Sequence, residues 1–255
     1  MRAGAMTMTK PKIGIFGLTG CAGDQLAILN CEDELLDLVE LIDIRDFLMA
    51  SSAVDHDAAL DIAFVEGAVL SQRDEDVLRR VRDRSKLLVA LGTCAGWGGI
   101  AALDRLHDRG ALLDAVYGGM GRTYDTRPAQ ALHELVTVDF VLPGCPIEKH
   151  EFLGAVACLL NGDAPQLPHY PVCVECRVAE NRCLLGADDR LCCGPLTLAG
   201  CGARCPSLGV ACVGCRGPAP DANYASAAAL YEEKGFARVQ VERALATFAP
   251  AGATP

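Results

Sequence analysis

Apolar residues along this chain come in short runs separated by charged, amphipathic stretches. Residues 11–18, Pro-Lys-Ile-Gly-Ile-Phe-Gly-Leu, show no helical period and read as a buried strand. The loop Thr19-Gly20-Cys21-Ala22-Gly23-Asp24 leads into residues 25–38, which read as an amphipathic helix. Further strands are expected over Leu38–Ile44, Asp61–Val65, Lys86–Leu91 and Asp139–Leu142. Asp74–Arg84 places Asp and Glu early and Arg late, as a helix dipole favours. Two more helices are expected, one starting near Gly98 and one over Glu148–Leu160. Strands alternating with helices predict an α/β fold with a mostly parallel, doubly wound sheet.

Such sheets carry their working residues just beyond the carboxyl ends of the strands. Cys21, Asp24, Glu66, Cys94 and Cys145 all fall at such ends. Residues far apart in sequence should therefore meet on one rim.

Beyond residue 163 the pattern changes. Residues 164–172 hold three prolines and read as a linker, and residues 173–217 show little periodicity, many glycines and nine cysteines. A segment so poor in large apolar residues needs metal to supply its folding free energy. Residues 222–247 return to helical patterning. The division expected is 11–163 for the sheet domain, 170–220 for a cysteine-rich domain and 221–255 for a C-terminal helix and tail.

The cysteine spacing carries the chemistry. Cys173, Cys176, Cys183 and Cys192 form one quartet, and Cys201, Cys205, Cys212 and Cys215 a second, with Cys193 as surplus. Two quartets suit two four-iron clusters or two four-thiolate zinc sites. The rim tips the balance towards iron and sulfide, because three cysteines and an aspartate make a poor structural zinc site. Cys158 and Cys31 read as buried core thiols, with Cys31 as the alternative fourth ligand of the rim. His169, in the linker, reads as a bystander.

Composition narrows the field further. The chain has 255 residues, 14 cysteines, a net charge of −10 and 5% aromatic residues. No basic stripe exists for nucleic acid, and few rings exist for base stacking. No apolar run is long enough to span a membrane, and residues 1–12 lack a signal segment and a twin-arginine motif. A reducing cytoplasmic location is expected, where cysteines serve as ligands or buried thiols rather than disulfides.

Several motifs resemble, in order, those of the small subunit of [NiFe] hydrogenases. They are Thr19-Gly20-Cys21-x-Gly-Asp24, Val65-Glu66-Gly67, Gly92-Thr93-Cys94-Ala-x-x-Gly98-Gly99 and Pro143-Gly144-Cys145-Pro146. The run from Cys192 to Pro218, with Cys201, Cys205, Cys212 and Cys215-Arg-Gly-Pro, is a closer match. It resembles the cytoplasmic, multimeric branch: sulfhydrogenase-type NAD(P)-linked enzymes and their coenzyme-F420- and heterodisulfide-reductase-linked relatives.

The resemblance implies a flavodoxin-like domain followed by a small irregular iron–sulfur domain. It implies three [4Fe–4S] clusters: proximal on Cys21, Asp24, Cys94 and Cys145; distal on Cys173, Cys176, Cys183 and Cys192; medial on Cys201, Cys205, Cys212 and Cys215. The family usually has Cys where Asp24 stands, and a carboxylate is a harder, more electron-donating ligand. Cys192 is chosen over Cys193 because Cys-x-Gly-Pro is the family spelling. The implied partners are a large subunit holding the nickel–iron centre and a diaphorase-type flavin or iron–sulfur subunit. The chain is then an electron relay within an enzyme complex and holds no catalytic residue for dihydrogen itself. Glu66 is a candidate for supporting the site or passing protons.

Rival readings predict other chromophores. A complex I-type quinone-reductase small subunit would carry one cluster, and a zinc-bearing assembly module would be colourless. A flavodoxin would need a Ser/Thr-rich phosphate cradle that the first loop lacks, and Gly17-x-x-Gly20 is not a dinucleotide fingerprint.

Overall fold

A computed structural model describes residues 10–248. Residues 1–9, and residues 249–255 of the expected C-terminal tail, lie outside the described residues. Five strands form one parallel sheet: β1 (Lys12–Gly17), β2 (Asp43–Asp46), β3 (Leu60–Glu66), β4 (Ser85–Leu91) and β5 (Phe140–Leu142), in the order β2-β1-β3-β4-β5. The near-continuous apolar runs follow from burial on both faces. Ile13, Ile15, Ile62, Phe64, Val89 and Leu91 face one core, while Ala63, Val65, Leu88 and Ala90 face another.

The first core is covered by α1 (Gly23–Leu29), α2 (Glu32–Leu41) and a later helix over Lys149–Leu160, whose Phe152 meets Phe64 edge-on at 5.4 Å. The second is covered by α3 (Gln72–Asp83), through Leu78 and Val81. Ser71 caps α3 by accepting the backbone N–H of Asp74.

Three local expectations are corrected. The helix expected over 25–38 is two helices, broken at Asn30 and Cys31. Asn favours helix ends, and the acidic run Glu32-Asp33-Glu34 favours a fresh N-terminus. The strand expected from Leu38 starts only at Asp43, because Leu35, Leu38 and Ile42 recur at helical spacing and pack into the first core. Near Gly98 the helix comes earlier than expected: α4 spans Gly92–Trp97, and a 3₁₀ stretch follows over Gly99–Leu106.

Beyond α5 (Arg109–Tyr117) and α6, the Lys149–Leu160 helix, the cysteine-rich segment is built from turns and short helices: α7 (Val172–Val178), α8 (Leu184–Ala187) and α9 (Arg204–Ser207). Two helices close the described chain, α10 (Tyr224–Glu233) and α11 (Arg238–Ala246). Their Ala227, Tyr231 and Val241 share a third core with Val172, Leu185, Leu196, Cys192 and Cys212. Among the described residues no helix is long and apolar enough to cross a membrane.

Candidate cluster-binding sites

Sheet register aligns the rim. Gly17 pairs with Glu66, Glu66 with Leu91, and Leu91 with Leu142, so four strands end on one line. The loops beyond that line carry Cys21, Cys94 and Cys145. Gly92 turns the chain out of β4 at φ +76°, which puts Cys94 in the first turns of α4. Thr93 then ties two loops together: its backbone N–H donates to Gly144 O at 2.8 Å, and its hydroxyl lies between the carbonyls of Gly144 and Cys215.

Asp24 is 6% exposed and faces inward. Its Oδ1 accepts the backbone N–H of Ile147 at 2.7 Å, and its Oδ2 abuts Gly92. Burial pushes its carboxyl up to about 7, against the Ile147 bond and with help from Glu66. Glu66 is 2% exposed and accepts the backbone N–H groups of Asp24 and Gln25. Its position supports the rim from below.

The thiols of the rim sense one another. Burial first, then Cys94, Asp24, Cys21 and Cys215, push Cys145 up to about 12. Cys94 is raised by burial and by Asp24, Cys21 and Glu66, against an N–H from Ile100. Buried thiols of this kind become thiolates when a metal's charge replaces the lost water.

The outer quartet comes together. Cys173, Cys176, Cys183 and Cys192 line one cavity of about 50 Å³, closed by Val172, Leu184, Leu185 and Pro195. Burial and then Cys192, Cys176 and Cys183 push Cys173 up to about 11. Gly194 sits against this ring, where a Cβ would stand 3.3 Å from the Cys173 sulfur and 3.5 Å from that of Cys192. Cys193 points elsewhere, into a small pocket beside Thr197, Tyr224 and Leu245 of α11, with its thiol towards Ala244 O.

In the middle set, Cys215 has Cys201 and Cys205 as its charged neighbours. Cys212 is buried, with its thiol donating to Thr197 Oγ1 at 3.6 Å and with Cys192 and Cys193 beside it. Its sulfur thus lies on the side of Thr197, with Cys192 and Cys193 as its cysteine neighbours. Glu175, on α7 between Cys173 and Cys176, accepts the N–H groups of Gly200 and Ala203 and so clamps the turn that carries Cys201.

Cys31 is fully buried in the first core, its thiol towards Ala27 O. Cys158 is half-buried on α6, and His169 is exposed with its ring edge against Tyr170. A groove of about 740 Å³ between β1 and α3 is lined by no cysteine.

These surroundings fit iron–sulfur clusters. Glycines clear the space beside the sulfurs: a Cβ on Gly99 would stand 2.6 Å from the Cys94 sulfur, and one on Gly23 3.2 Å from that of Cys21. Trp97 Nε1, three residues past Cys94, is buried with no hydrogen-bond partner among the described residues. Its ring packs on Gly217, two residues past Cys215. Indole N–H is a donor that a cluster sulfur can accept. Among the described residues no three His, Cys, Asp or Glu side chains converge on a point for a single metal ion.

Sequence comparison agrees with this geometry. Residues 21–159, more than half of the chain, match the family model described as NADH ubiquinone oxidoreductase, 20 Kd subunit. The chain belongs to that family, and within it its relatives are hydrogenase subunits. It is 40% identical over 212 residues to sulfhydrogenase 2 subunit delta of Pyrococcus furiosus, spanning 83% of this chain and 88% of that one. It is 33% identical to a subunit of the F420-non-reducing hydrogenase of Methanocaldococcus jannaschii, over 81% of each. Among solved structures it resembles a chain of an NAD+-reducing [NiFe]-hydrogenase in the H2-reduced state. The TM-score is 0.56 at 28% identity, over 63% of this chain and 97% of that one. A span of 83% cannot end before the cysteine-rich segment, so the likeness to the Pyrococcus subunit takes in part of that segment. The family model stops before it.

Proposed function

We propose that this chain is the electron-relay small subunit of a [NiFe] hydrogenase and holds three [4Fe–4S] clusters in line. The carrying observation is the continuity of its thiols. The Thr93 hydroxyl lies between the carbonyl of Gly144, beside Cys145 on the rim, and that of Cys215 in the middle set, and the N–H of Cys212 donates to the Cys192 sulfur of the outer ring at 3.2 Å. The three sets therefore follow one another as rim, middle and outer.

The clusters, when bound, supply one-electron oxidation and reduction. The chain's residues determine the rest. Cys21, Cys94, Cys145 and Asp24 would hold the rim cluster. Cys201, Cys205, Cys212 and Cys215 would hold the middle one, with Cys212 turning from Thr197 towards the set. Cys173, Cys176, Cys183 and Cys192 would hold the outer one. Burial around Cys145 and Cys173 excludes water, while Cys183 is exposed and marks the exit. Dihydrogen split in a large subunit yields two protons and two electrons. The electrons cross this chain singly to a flavin or iron–sulfur partner of the diaphorase type. That partner and a cytoplasmic location belong to the proposal.

The test is acid-labile sulfide on the anaerobically purified pair of this chain and its large subunit, in which three clusters give about twelve sulfides and a nickel–iron centre adds none. About four, or zinc in place of iron, would defeat the reading. A value near eight would leave the rim empty, and an Asp24→Cys variant would then show whether a thiolate fills it.

A further inference from the structure

One buried cation joins the rim to the middle set. Arg216 follows Cys215 directly and is 1% exposed. Its Nε donates to Ala199 O at 2.9 Å and to Leu198 O at 3.2 Å, just ahead of the turn that carries Cys201. Its Nη1 donates to Pro143 O at 3.2 Å, two residues before Cys145. Its Nη2 meets both carboxylate oxygens of Glu151 on α6 at 2.7 Å. A single planar guanidinium thus touches the loops of Cys145, Cys201 and Cys215.

The surroundings are shaped for this contact. Gly200 has φ +122°, and a Cβ there would stand 2.0 Å from Glu151 Oε1 and 2.3 Å from Arg216 Nη2. No other residue type would leave room for the pair. A buried ion pair is a poor source of stability, since desolvation of two charges offsets their attraction. Its value lies in the geometry that a planar guanidinium enforces, with Nη2 on Glu151 and the other two nitrogens on the carbonyls of three loop residues. Lysine could satisfy Glu151 but has no planar fork to span three carbonyls as well.

We propose that Arg216, fixed by Glu151, is the positioning residue that sets the spacing between the rim and middle clusters. The assignment rests on the three-cluster reading above. Electron tunnelling falls off exponentially with separation, so a side chain that fixes two cluster loops against each other governs the relay without touching dihydrogen. The pair acts as a rigid spacer.

The experiment uses the hydrogenase complex with its large subunit and compares wild type with Arg216→Lys and Glu151→Gln. Three readouts are taken: iron and sulfide content, spin–spin coupling between the two reduced clusters, and hydrogen-driven dye reduction. In wild type, about twelve acid-labile sulfides per small subunit, to which a nickel–iron centre adds none, establish the three-cluster reading independently; about four defeats that reading rather than the assignment of Arg216. In Arg216→Lys the iron count should hold, the coupling should change, and dye reduction should fall about ten- to a hundredfold, the usual range for residues that orient metal ligands. A full complement of iron with wild-type coupling and rate overturns the proposal. If Arg216→Lys loses iron, Glu151→Gln decides, since it leaves the carbonyl bonds of Arg216 in place. Altered coupling at full iron content then supports the spacer, and unchanged coupling overturns it.

Discussion

Glu66, at the end of β3, accepts the backbone N–H of Gln25 at 3.0 Å through Oε2, and its Oε1 takes that of Asp24 at 3.3 Å. One carboxylate thereby satisfies two of the unpartnered donors in the first turn of α1 and fixes the Cys21–Asp24 loop above the sheet. Glu66→Ala should cost about 1–3 kcal/mol for each buried donor left unpaired, read from the urea midpoint. Glu66→Gln keeps one acceptor oxygen and should lose less. An unchanged midpoint in Glu66→Ala would mean that water replaces the carboxylate.

Gly92 tests whether Asp24 belongs to the rim site. An alanine Cβ there would stand 2.0 Å from Asp24 Oδ2, at a φ of +76° that suits only glycine. Gly92→Ala should displace the carboxylate and take iron from about twelve to about eight per chain. Gly118→Ala is the control, since Gly118 also has positive φ but nothing within 4 Å of its missing Cβ; its iron should stay complete.

The adjacent Cys192 and Cys193 should behave oppositely. Cys192 lines the outer cavity, and its sulfur accepts the N–H of Cys212 at 3.2 Å. Cys193 is 4% exposed and faces α11. Cys192→Ala should remove about four irons, whereas Cys193→Ala should remove none. Iron analysis of the two variants side by side distinguishes them, and equal losses would contradict the assignment.

Tyr231 links the closing helices to the outer ring. It is fully buried, and its hydroxyl donates to Cys192 O at 2.8 Å. Tyr231→Phe leaves that carbonyl unsatisfied at a cost of about 1–3 kcal/mol. For a chain of this size each kcal/mol lowers the Tm by about 2–4 °C. The loss should appear as a lower thermal midpoint at unchanged iron content.

Much of this arrangement is legible in the sequence, for physical reasons. β1, β3 and β4 are buried on both faces, so their apolar runs stand out. The rim follows because parallel strands end in register. The spacing of Cys173, Cys176, Cys183 and Cys192 anticipates the ring that lines one cavity. Local pattern fails where long-range packing decides. Leu38 looks equally suited to a strand or a helix until its place in the core is known. The outward turn of Cys212 to Thr197 leaves no mark in spacing. Arg216 stands out in the sequence only as part of a motif, since a lone arginine after a cysteine resembles a surface cation. Its partners Pro143 and Glu151 lie 73 and 65 residues away, and no window along the chain brings them together.

The seam at Gly217 and Arg216 bears on protein engineering. Cysteine-rich segments with two quartets invite use as portable wiring, cut from one protein and fused to another. Here the segment borrows its foundations from the sheet domain: the Trp97 ring beneath Gly217, the Pro143 carbonyl and the Glu151 carboxylate on Arg216, and the Thr93 hydroxyl at Cys215. Excised at the proline linker, it would leave a bare arginine and an uncovered glycine at its cut face. A graft that works should therefore carry the strand-end loops of Thr93 and Pro143 with it, as one unit.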